Sequence, residues 1–484
     1  MRNIRYIILS DLHLAAANNV LTRLTADKKE TLPHKASDVL RKFVACLHHV
    51  ISRSRNDAPI SLVLNGDILE LALAGTNEAA MGFECFIKLL FNASTAGKKL
   101  AREIFYLPGN HDHHLWNTAK ETQYVEKYLR AIPARRPLEA EYYATNMFDN
   151  KKLATVPAYF LDALIQRWPA LSDISFKTVY PNLAVLNADK SRAVVLNHGH
   201  YIESIYFLMT RLKDTLFPGR GGPEEIWDLE AENGAWIDFF WSTLGRSGDV
   251  GTGVALIYDK MQDEQQFDRL LENLAQTIKA QLPLEHLIGG LESKLITIIL
   301  KHTVGKLASR EVGETGSTLS PDATAGLKHY LENYVLREIR RGNRNKVPEE
   351  VTFIFGHTHK PFEDVRQFDG YNKPVQLLNS GGWVVDTREA EALHGGAIIL
   401  VDDQLNAASI RMYNEDDPSR WPAVHVSAAV KEGNPLYEWL TGLITPAKAP
   451  WASFSKSVQQ AVNDHRDNLL FNIARKDTEK VMAS

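Results

Sequence analysis

The first part of the chain alternates short apolar runs with segments whose apolar positions recur at helical spacing. The β-branched run Ile4–Leu9 predicts a buried strand, and Ser37 is a suitable N-cap for the amphipathic segment that follows it. Further strands are predicted at residues 60–64 and 104–107, with helical patterning over about 78–100 between them. This order of elements favours a layered α/β domain.

From residue 183 onward the pattern changes to strand-like runs separated by turns. The runs 183–187 and 193–197, joined by Ala188-Asp189-Lys190-Ser191, predict a hairpin that ends at His198. Similar runs follow at 352–355, 375–378 and 397–401 with little helical patterning between them. We therefore expect a second, more antiparallel sheet that faces the first, with helices on the outside.

A long segment of helical character separates the hairpin from the strand at 352. Helical spacing is clear at 267–278, residues 287–300 are strongly apolar, and 327–339 predicts a helix that ends near Gly342. We therefore divide the chain into a core (1–200 and 351–412), a helical cap insertion (201–350) and a C-terminal extension (413–484). The extension includes a predicted final helix near 455–475.

Composition excludes several classes of protein. A hydrophobic content of 44% with 20 prolines is typical of a soluble globular protein. The net charge of -4 gives no general attraction to nucleic acid, so a nucleic-acid partner is disfavoured. Two cysteines, Cys46 and Cys85, cannot form a disulfide framework, which favours the reducing cytoplasm. No apolar run approaches the roughly 20 residues of a membrane helix, although contact with a membrane surface stays open.

Potential metal ligands follow five of the strand-like runs. The five segments are Asp11-Leu12-His13, Asn65-Gly66-Asp67, Gly109-Asn110-His111-Asp112, His198-Gly199-His200 and Gly356-His357-Thr358-His359. Each segment by itself is compatible with an ordinary polar strand end or turn. Together they supply the carboxylate, amide and imidazole donors of a two-metal hydrolytic centre. In an extended backbone, the two-residue spacing in the first and last segments would direct both side chains to one side.

The five segments match the pattern D-x-H, G-D, G-N-H-D/E, H and G-H-x-H. The chain thereby resembles the calcineurin-like metallophosphoesterase superfamily over roughly residues 1–200 and 351–412. The resemblance implies an α/β fold, a four-layer α/β/β/α sandwich with the metal site at the strand ends. It also implies two divalent transition metal ions as cofactors. The mixed ligand set does not distinguish Mn, Fe, Zn, Ni and Co.

The resemblance also implies a role for each matching residue. The implied metal ligands are Asp11, His13 and His359 for one ion, Asn110, His198 and His357 for the other, and Asp67 as the bridge between them. His111 matches the catalytic histidine of the family, and either Glu70 or Asp112 is the acid that orients it. His200 either faces the substrate phosphate from outside the ligand set or makes a structural hydrogen bond.

The implied activity is hydrolysis of phosphoric esters by metal-activated hydroxide, with His111 as general acid for the departing oxygen. The insertion leaves the core just after His200 and returns just before His357, so both of its ends are expected near the metals. We therefore expect it to form a lid over a bulky small-molecule substrate, a phosphodiester or pyrophosphate with a nucleotide or lipid portion. A core of its own or a dimer interface are the alternatives for this insertion.

The aromatic side chains of the insertion have two interpretations, either stacking on a substrate or packing in a helical core; they are Trp227, Trp236, Phe239, Phe240 and Trp241. Two other functions compete with the phosphoesterase. A nuclease of the same superfamily would favour a basic groove, of which the overall charge gives no sign. A non-catalytic protein-binding scaffold can lose ligands, whereas this chain has the complete set.

Overall fold

The computed structural model describes residues 2–55, 57–92, 94–148, 155–217, 219, 221–243, 316–387, 389–415 and 424–483. In chain order, the strands are β1 (Ile4–Leu9), β2 (Ser61–Asn65), β3 (Glu103–Leu107), β4 (Val156–Pro157), β5 (Ser175–Thr178), β6 (Asn182–Leu186), β7 (Arg192–Asn197), β8 (Glu350–Phe355), β9 (Phe362–Arg366), β10 (Val375–Asn379), β11 (Gly395–Asp402), β12 (Ala407–Asn414) and β13 (His425–Ser427). They form two mixed sheets.

The α-helices of the described residues are α1 (Asp38–Arg53), α2 (Thr76–Leu90), α3 (Thr95–Lys99), α4 (His114–Gln123), α5 (Tyr159–Gln166), α6 (Leu208–Leu216), α7 (Ile226–Ile237), α8 (Pro321–Tyr330), α9 (Leu336–Gly342), α10 (Pro435–Leu443) and α11 (Trp451–Ala483). Three π-helical turns continue α4, α7 and α8, at Tyr124–Leu129, Asp238–Thr243 and Leu331–Val335. None of the helices in these ranges combines the length and the apolar character needed to cross a bilayer.

The first sheet has eight strands in the order β13-β12-β11-β1-β2-β3-β5-β4. Strands β1, β2, β3 and β5 are parallel neighbours, so their carboxyl ends share one edge. The assignment of residues 397–401 to the second sheet is wrong, because β11 pairs antiparallel with β1 in the first sheet. All of β11 is buried. An apolar pattern identifies a buried strand but does not identify its partner.

The second sheet has five strands in the order β6-β7-β8-β10-β9. The predicted hairpin is confirmed, since β6 pairs antiparallel with β7 from Asn182↔Asn197 to Leu186↔Ala193. The expectation of a mainly antiparallel sheet is wrong at its centre, where β7, β8 and β10 are parallel. The insertion between β7 and β8 makes this possible, because a parallel connection needs a long crossover.

Apolar residues of the two sheets share one buried cluster, in which Ile8 and Val63 of the first sheet join Val194, Ile354 and Leu378 of the second. A second cluster joins the first sheet to α1, α2, α5, α10 and α11. A third joins the second sheet to α7, α8 and α9. The protein is therefore a mixed α/β fold. Each sheet buries one apolar face against the other sheet and its opposite face against helices.

Several helix predictions are confirmed, and one is wrong in its extent. Helix α1 begins where the Ser37 hydroxyl accepts a hydrogen bond from the Leu40 amide at 2.9 Å. The helix predicted over 78–100 is two helices, because the Ser94 hydroxyl accepts from the Gly97 amide at 3.1 Å and begins α3 anew. The helix predicted to end near Gly342 is α8, its π-helical turn and α9. The patterns at 267–278 and 287–300 lie outside the described residues.

The C-terminal residues continue the first sheet and its helical layer. Strand β13 pairs with β12 at that edge. The predicted final helix is confirmed as α11, which packs against α1 with the ring centroids of Phe43 and Phe454 6.5 Å apart. The same face of α11 fixes the loop after β1, since the His465 imidazole lies 2.7 Å from the Ala17 carbonyl oxygen.

Candidate metal centre

The seven predicted ligands all lie in loops at the carboxyl ends of β1, β2, β3, β7 and β8, and all are buried. The loops of the first sheet carry Asp11, His13, Asp67 and Asn110, whereas those of the second sheet carry His198, His357 and His359. Parallel strands bring the loops of each sheet to one edge. Because the two sheets face each other, the predicted ligands of the first sheet and those of the second come together.

The backbone in these loops is strained at five of the seven residues, with φ of 51° at Asp11, 39° at His13, 51° at Asp67, 70° at His357 and 57° at His359. The extended backbone assumed for the D-x-H and H-x-H segments is therefore wrong. Left-handed backbone in residues other than glycine costs on the order of 1–3 kcal/mol each and clusters at functional sites. The surrounding hydrogen bonds hold it, including His13 N to the Asp67 carbonyl at 2.8 Å and His357 N to Asp11 Oδ1 at 2.9 Å.

Two glycines of the motifs are required by the packing of these loops. A methyl group on Gly109 would overlap the Asp67 carboxylate, and one on Gly356 would overlap the carboxylate of Asp11. Neither glycine is needed for its own backbone angle, because neither has a positive φ. Their role is to let a carboxylate from the first sheet approach the backbone of a neighbouring loop.

Asp11, His13 and His359 form one group of donors, in which the potential ligand atoms all lie within 4.8 Å of one another. The Nε2 atom of His359 is 3.6 Å from Asp11 Oδ1 and 3.2 Å from His13 Nε2. The same His13 nitrogen lies 3.7 Å from Asp67 Oδ2. This group can hold one cation beside Asp67.

Asp67, His198 and His357 form a second group within the same limit of 4.8 Å. The Nε2 atom of His198 lies 3.2 Å from Asp67 Oδ2 and 3.0 Å from the amide oxygen of Asn110. The structure therefore brings all seven predicted ligands together in two groups, with Asp67 between them. A third overlapping group, His13, Asp67 and His111, covers the space between the other two.

Three of the four histidines, His13, His198 and His359, have Nε2 in this cluster, and all four have one ring nitrogen against an oxygen outside it. The outer pairs are His13 Nδ1 with Glu70 Oε2 at 2.9 Å, His198 Nδ1 with the Asn65 carbonyl at 3.2 Å, His359 Nδ1 with Asp386 Oδ2 at 2.5 Å, and His357 Nε2 with the Glu203 carboxylate. Metal-bound histidines characteristically have such a partner, which fixes the tautomer and the ring orientation. The arrangement fits metal binding by all four.

Glu203 and Asp386 were missed by the sequence analysis. Glu203 lies three residues after His200, in the segment assigned to the insertion. Asp386 follows β10, and its other oxygen accepts from Asn18 Nδ2 at 3.0 Å. No spacing rule relates either acid to its histidine, because the pairing depends on how the loops fold back, so the sequence carried no signal for them.

Burial and charge act against each other in the cluster. Burial alone would raise the pKa of Asp67, but the neighbouring His198, His111 and His13 outweigh it and hold that pKa well below its ordinary range. Burial would also raise the pKa of Asp386, but the charge of His359 outweighs it and lowers that pKa to about 2. The carboxylates thus stay ionised inside the protein and attract cations. A mixed set of oxygen and imidazole donors suits divalent transition metals.

The His111 side chain is 13% exposed, more open than the 2% of its partner Glu70. Its Nδ1 atom lies 3.0 Å and 3.1 Å from the two oxygens of Glu70, and its amide donates to Asp67 Oδ1 at 2.7 Å. Burial would raise the pKa of Glu70, but the charges and hydrogen bonds of His111 and His13 lower it well below its ordinary value. Glu70 therefore orients a candidate ligand and the candidate acid together.

Asp112 has a different set of contacts. Its carboxylate accepts from the amides of Gly109 at 2.7 Å, Ile68 at 2.9 Å, Asp67 at 3.2 Å and Leu69 at 3.3 Å. It thus ties the loop after β2 to the loop after β3. Of the two acids considered for orienting His111, these contacts therefore favour Glu70. Asp112 instead holds the two loops together.

His200 is fully buried, and its Nε2 atom lies 3.2 Å from the Tyr180 hydroxyl. Within the part of the chain that the structure describes, its Nδ1 atom has no hydrogen-bond partner. Burial, followed by the charges of His198 and His357, lowers the pKa of His200 well below its ordinary value, so the ring is neutral. These contacts favour the structural alternative for His200 over contact with the substrate.

The aromatic residues of the insertion divide between the two interpretations. Trp241 is buried, with its ring centroid 6.3 Å from that of His111 and 5.3 Å from that of Tyr206. Trp227 and Phe239 are 40% and 57% exposed. Trp241 therefore packs in a buried core next to His111, the candidate acid. Trp227 and Phe239 do not pack in a core.

Comparison with known proteins adds little to this geometry. No protein-family model matches the chain, and no curated protein matches it either. Among solved structures, the crystal structure of the phosphopantetheinyl hydrolase PptH from Mycobacterium tuberculosis is similar at 12% identity and a TM-score of 0.23. The match covers 79% of this chain and 90% of that one. A TM-score this low does not establish a shared fold. A function for this chain therefore has to be argued from the geometry of the site.

Proposed function

We propose that the protein is a hydrolase of phosphoric esters with a dinuclear metal centre. Asp11, His13 and His359 would hold one ion, Asn110, His198 and His357 would hold the other, and Asp67 would serve both. The observation that carries this proposal is the arrangement of the four histidines, each between the cluster and an outer oxygen acceptor. A purely structural histidine cluster has no need of that polarity.

Two bound divalent ions would supply positive charge that polarises a phosphoryl group and lowers the pKa of water. The remaining steps belong to side chains of the chain. Glu70 fixes the His111 ring through Nδ1, which assigns Nε2 to proton transfer. His111 donates a proton to the departing oxygen and stands beside Asp67, whose Oδ1 fixes the backbone of His111. The Trp241 ring, with its centroid 6.3 Å from that of His111, shields one side of the imidazole.

The same proposal extends to the architecture and the substrate. The shared apolar cluster and the two outer clusters support a four-layer α/β/β/α sandwich, interrupted at 201–350 by the cap insertion and followed by the extension at 413–484. The contacts of Glu203 with His357 and of Trp241 with His111 support an insertion that starts over the site. We propose a phosphodiester or pyrophosphate substrate larger than a simple monoester.

Metal removal and reconstitution test this function. Protein from which metals have been removed by a chelator should be inactive. Addition of Mn, Fe, Co, Ni or Zn should restore hydrolysis of bis(4-nitrophenyl) phosphate, and the activity should stop rising once two equivalents of metal per chain have been added. Asp369→Asn, which removes an exposed carboxylate far from the cluster, is a control that should behave as the unaltered protein. Full activity in the chelated protein, or no hydrolysis of mono- or diesters with any of these ions, would refute the proposal.

A further inference from the structure

The segment Asn110–His114, which contains the candidate acid, is held from outside the core by the insertion. Ser242 Oγ donates to the Asn110 carbonyl at 2.6 Å, and Asp238 Oδ1 lies 3.2 Å from His114 Nδ1. Trp241 packs near the His111 ring between these two contacts. All three residues belong to the π-helical turn that continues α7.

About two turns before Asp238, α7 contributes a buried carboxylate to the same segment. Glu230 is 1% exposed, and its Oε1 accepts from His113 Nε2 at 2.8 Å. Its Oε2 accepts from the Tyr180 hydroxyl at 3.0 Å and from the Tyr201 hydroxyl. One carboxylate therefore joins the loop after β3 to two tyrosines from other parts of the chain.

The network continues to the loop after β7. The Tyr180 hydroxyl, which donates to Glu230, also lies 3.2 Å from His200 Nε2. His200 follows the candidate ligand His198 by two residues, and the two rings are 5.7 Å apart. Glu230 thus lies where the loop of the candidate acid and a loop of candidate ligands are tied together by the insertion.

Gly234 gives independent evidence that the position of this carboxylate matters. A methyl group at Gly234 would overlap Glu230 Oε1. Glycine inside a helix is less favourable than alanine, so α7 is destabilised locally at this residue. The cost is explained by the space that the Glu230 side chain occupies as it turns toward His113.

We propose that Glu230 is a positioning residue, which fixes the segment Asn110–His114 and thereby the orientation of His111 toward the leaving group. The proposal rests on the proposed hydrolase function. Glu230 acts through His113 and the backbone and touches neither metal ligand nor substrate. Its loss should therefore impair proton donation to the leaving oxygen while metal binding persists.

Two variants test the inference, Glu230→Gln and Gly234→Ala. Glutamine replaces one oxygen acceptor with a donor, so it cannot serve all three partners of Glu230. Alanine at 234 displaces the Glu230 carboxylate by overlap, yet it favours the helix. The matched controls are Glu232→Gln, which breaks contacts with Thr210 and Lys213 within the insertion, and Gly442→Ala in α10, where a methyl group meets nothing within 4 Å.

The kinetic readout compares a poor alkyl leaving group with 4-nitrophenolate on metal-loaded protein. For both test variants, we expect kcat on the alkyl ester to fall by about 10-fold or more, towards the roughly 10²-fold that a 1 Å misplacement can cost. The fall on the nitrophenyl ester should be smaller, and KM and metal content should stay near those of the unaltered protein. Equal losses on both esters, or losses that follow the fraction of unfolded protein, would overturn the positioning role.

Hydrogen exchange gives a readout that needs no activity. Amides of residues 109–117 should exchange faster in Glu230→Gln and Gly234→Ala than in the two controls. Unchanged exchange together with an unchanged ratio of the two ester rates would overturn the inference while the hydrolase function stands. Inactivity of the unaltered, metal-loaded protein on both esters would instead overturn the proposed function, and the catalytic part of this inference with it.

Discussion

The carboxylates of Glu70, in the strand-end cluster, and Glu338, on helix α9 over the second sheet, are both buried but have different neighbours. Glu70 faces two histidines and accepts from two backbone amides, whereas Glu338 accepts from Asn182 Nδ2 at 2.6 Å. Burial would raise both pKa values. The histidines reverse that effect at Glu70, but at Glu338 burial dominates and raises the pKa to about 8.

The difference shows what distinguishes the strand-end cluster from an ordinary buried acid. A buried carboxylate is stabilised by taking up a proton when its neighbours do not outweigh burial, as at Glu338, where Asn182 and Arg341 lower the pKa by less than burial raises it. Asp11, Asp67 and Glu70 remain charged because neighbouring imidazoles outweigh burial and lower their pKa values, and they are arranged around a shared space. Such a cluster favours the binding of cations, whereas the surroundings of Glu338 stabilise its protonated, neutral form.

The largest effect on the cluster is expected from Asp67→Asn, which removes the charge shared by both groups of ligands. Both metal affinities should fall and turnover should be lost, by more than the roughly 10–100-fold that removal of an outer partner costs. Metal titration followed by hydrolysis of an aryl diester measures both. If Asp67→Asn kept two tightly bound metals and full activity, Asp67 would be an ordinary buried acid.

The next largest effect is expected from His111→Ala, which removes the proposed acid and leaves the ligands. Turnover of a poor leaving group should fall by roughly 10²–10⁴-fold, the range for lost acid catalysis. Turnover of a nitrophenyl ester should fall less, because nitrophenolate needs little proton assistance. Equal losses on both substrates would assign His111 to orienting the phosphate or a metal instead.

A smaller effect is expected from Asp386→Asn, which keeps an acceptor for His359 Nδ1 but removes its charge. The affinity for one of the two metals should weaken by about 10–100-fold, as for other outer partners of metal-bound histidines. Calorimetric titration of the chelated protein separates the two binding steps, with Asp369→Asn as the exposed control. Two unchanged affinities would show that Asp386 serves only to pack the loop after β10.

The smallest effect concerns stability at Glu338, where the folded pKa of about 8 lies above the ordinary 4.5. Since the folded state retains this proton longer, the contribution of Glu338 to stability is fully present below about pH 4.5 and is lost as the pH rises through 8. Glu338→Gln has no such loss. Its melting temperature relative to the unaltered protein should therefore increase between pH 5.5 and 8.5. A difference that is independent of pH would contradict the raised pKa.

The apolar runs predicted that these side chains follow buried strands, whereas their roles as ligands were implied by the resemblance of the five segments to a family pattern. The sequence did not predict the left-handed backbone at Asp11 or His357, which depends on hydrogen bonds to loops remote in the chain. Asp386 and Glu203 were missed for the same reason. The membership of β11 in the first sheet was wrong because apolar periodicity carries no information on strand pairing.

Under the proposed function, this cluster holds two metals with Asp67 between them. Anomalous diffraction from crystals of the metal-loaded protein, recorded above and below the absorption edge of the ion, would locate both. We predict two peaks, one among Asp11, His13 and His359 and one beside Asn110, His198 and His357, each adjacent to an Asp67 oxygen. A single peak in a fully active crystal, or peaks away from Asp67, would contradict the dinuclear centre.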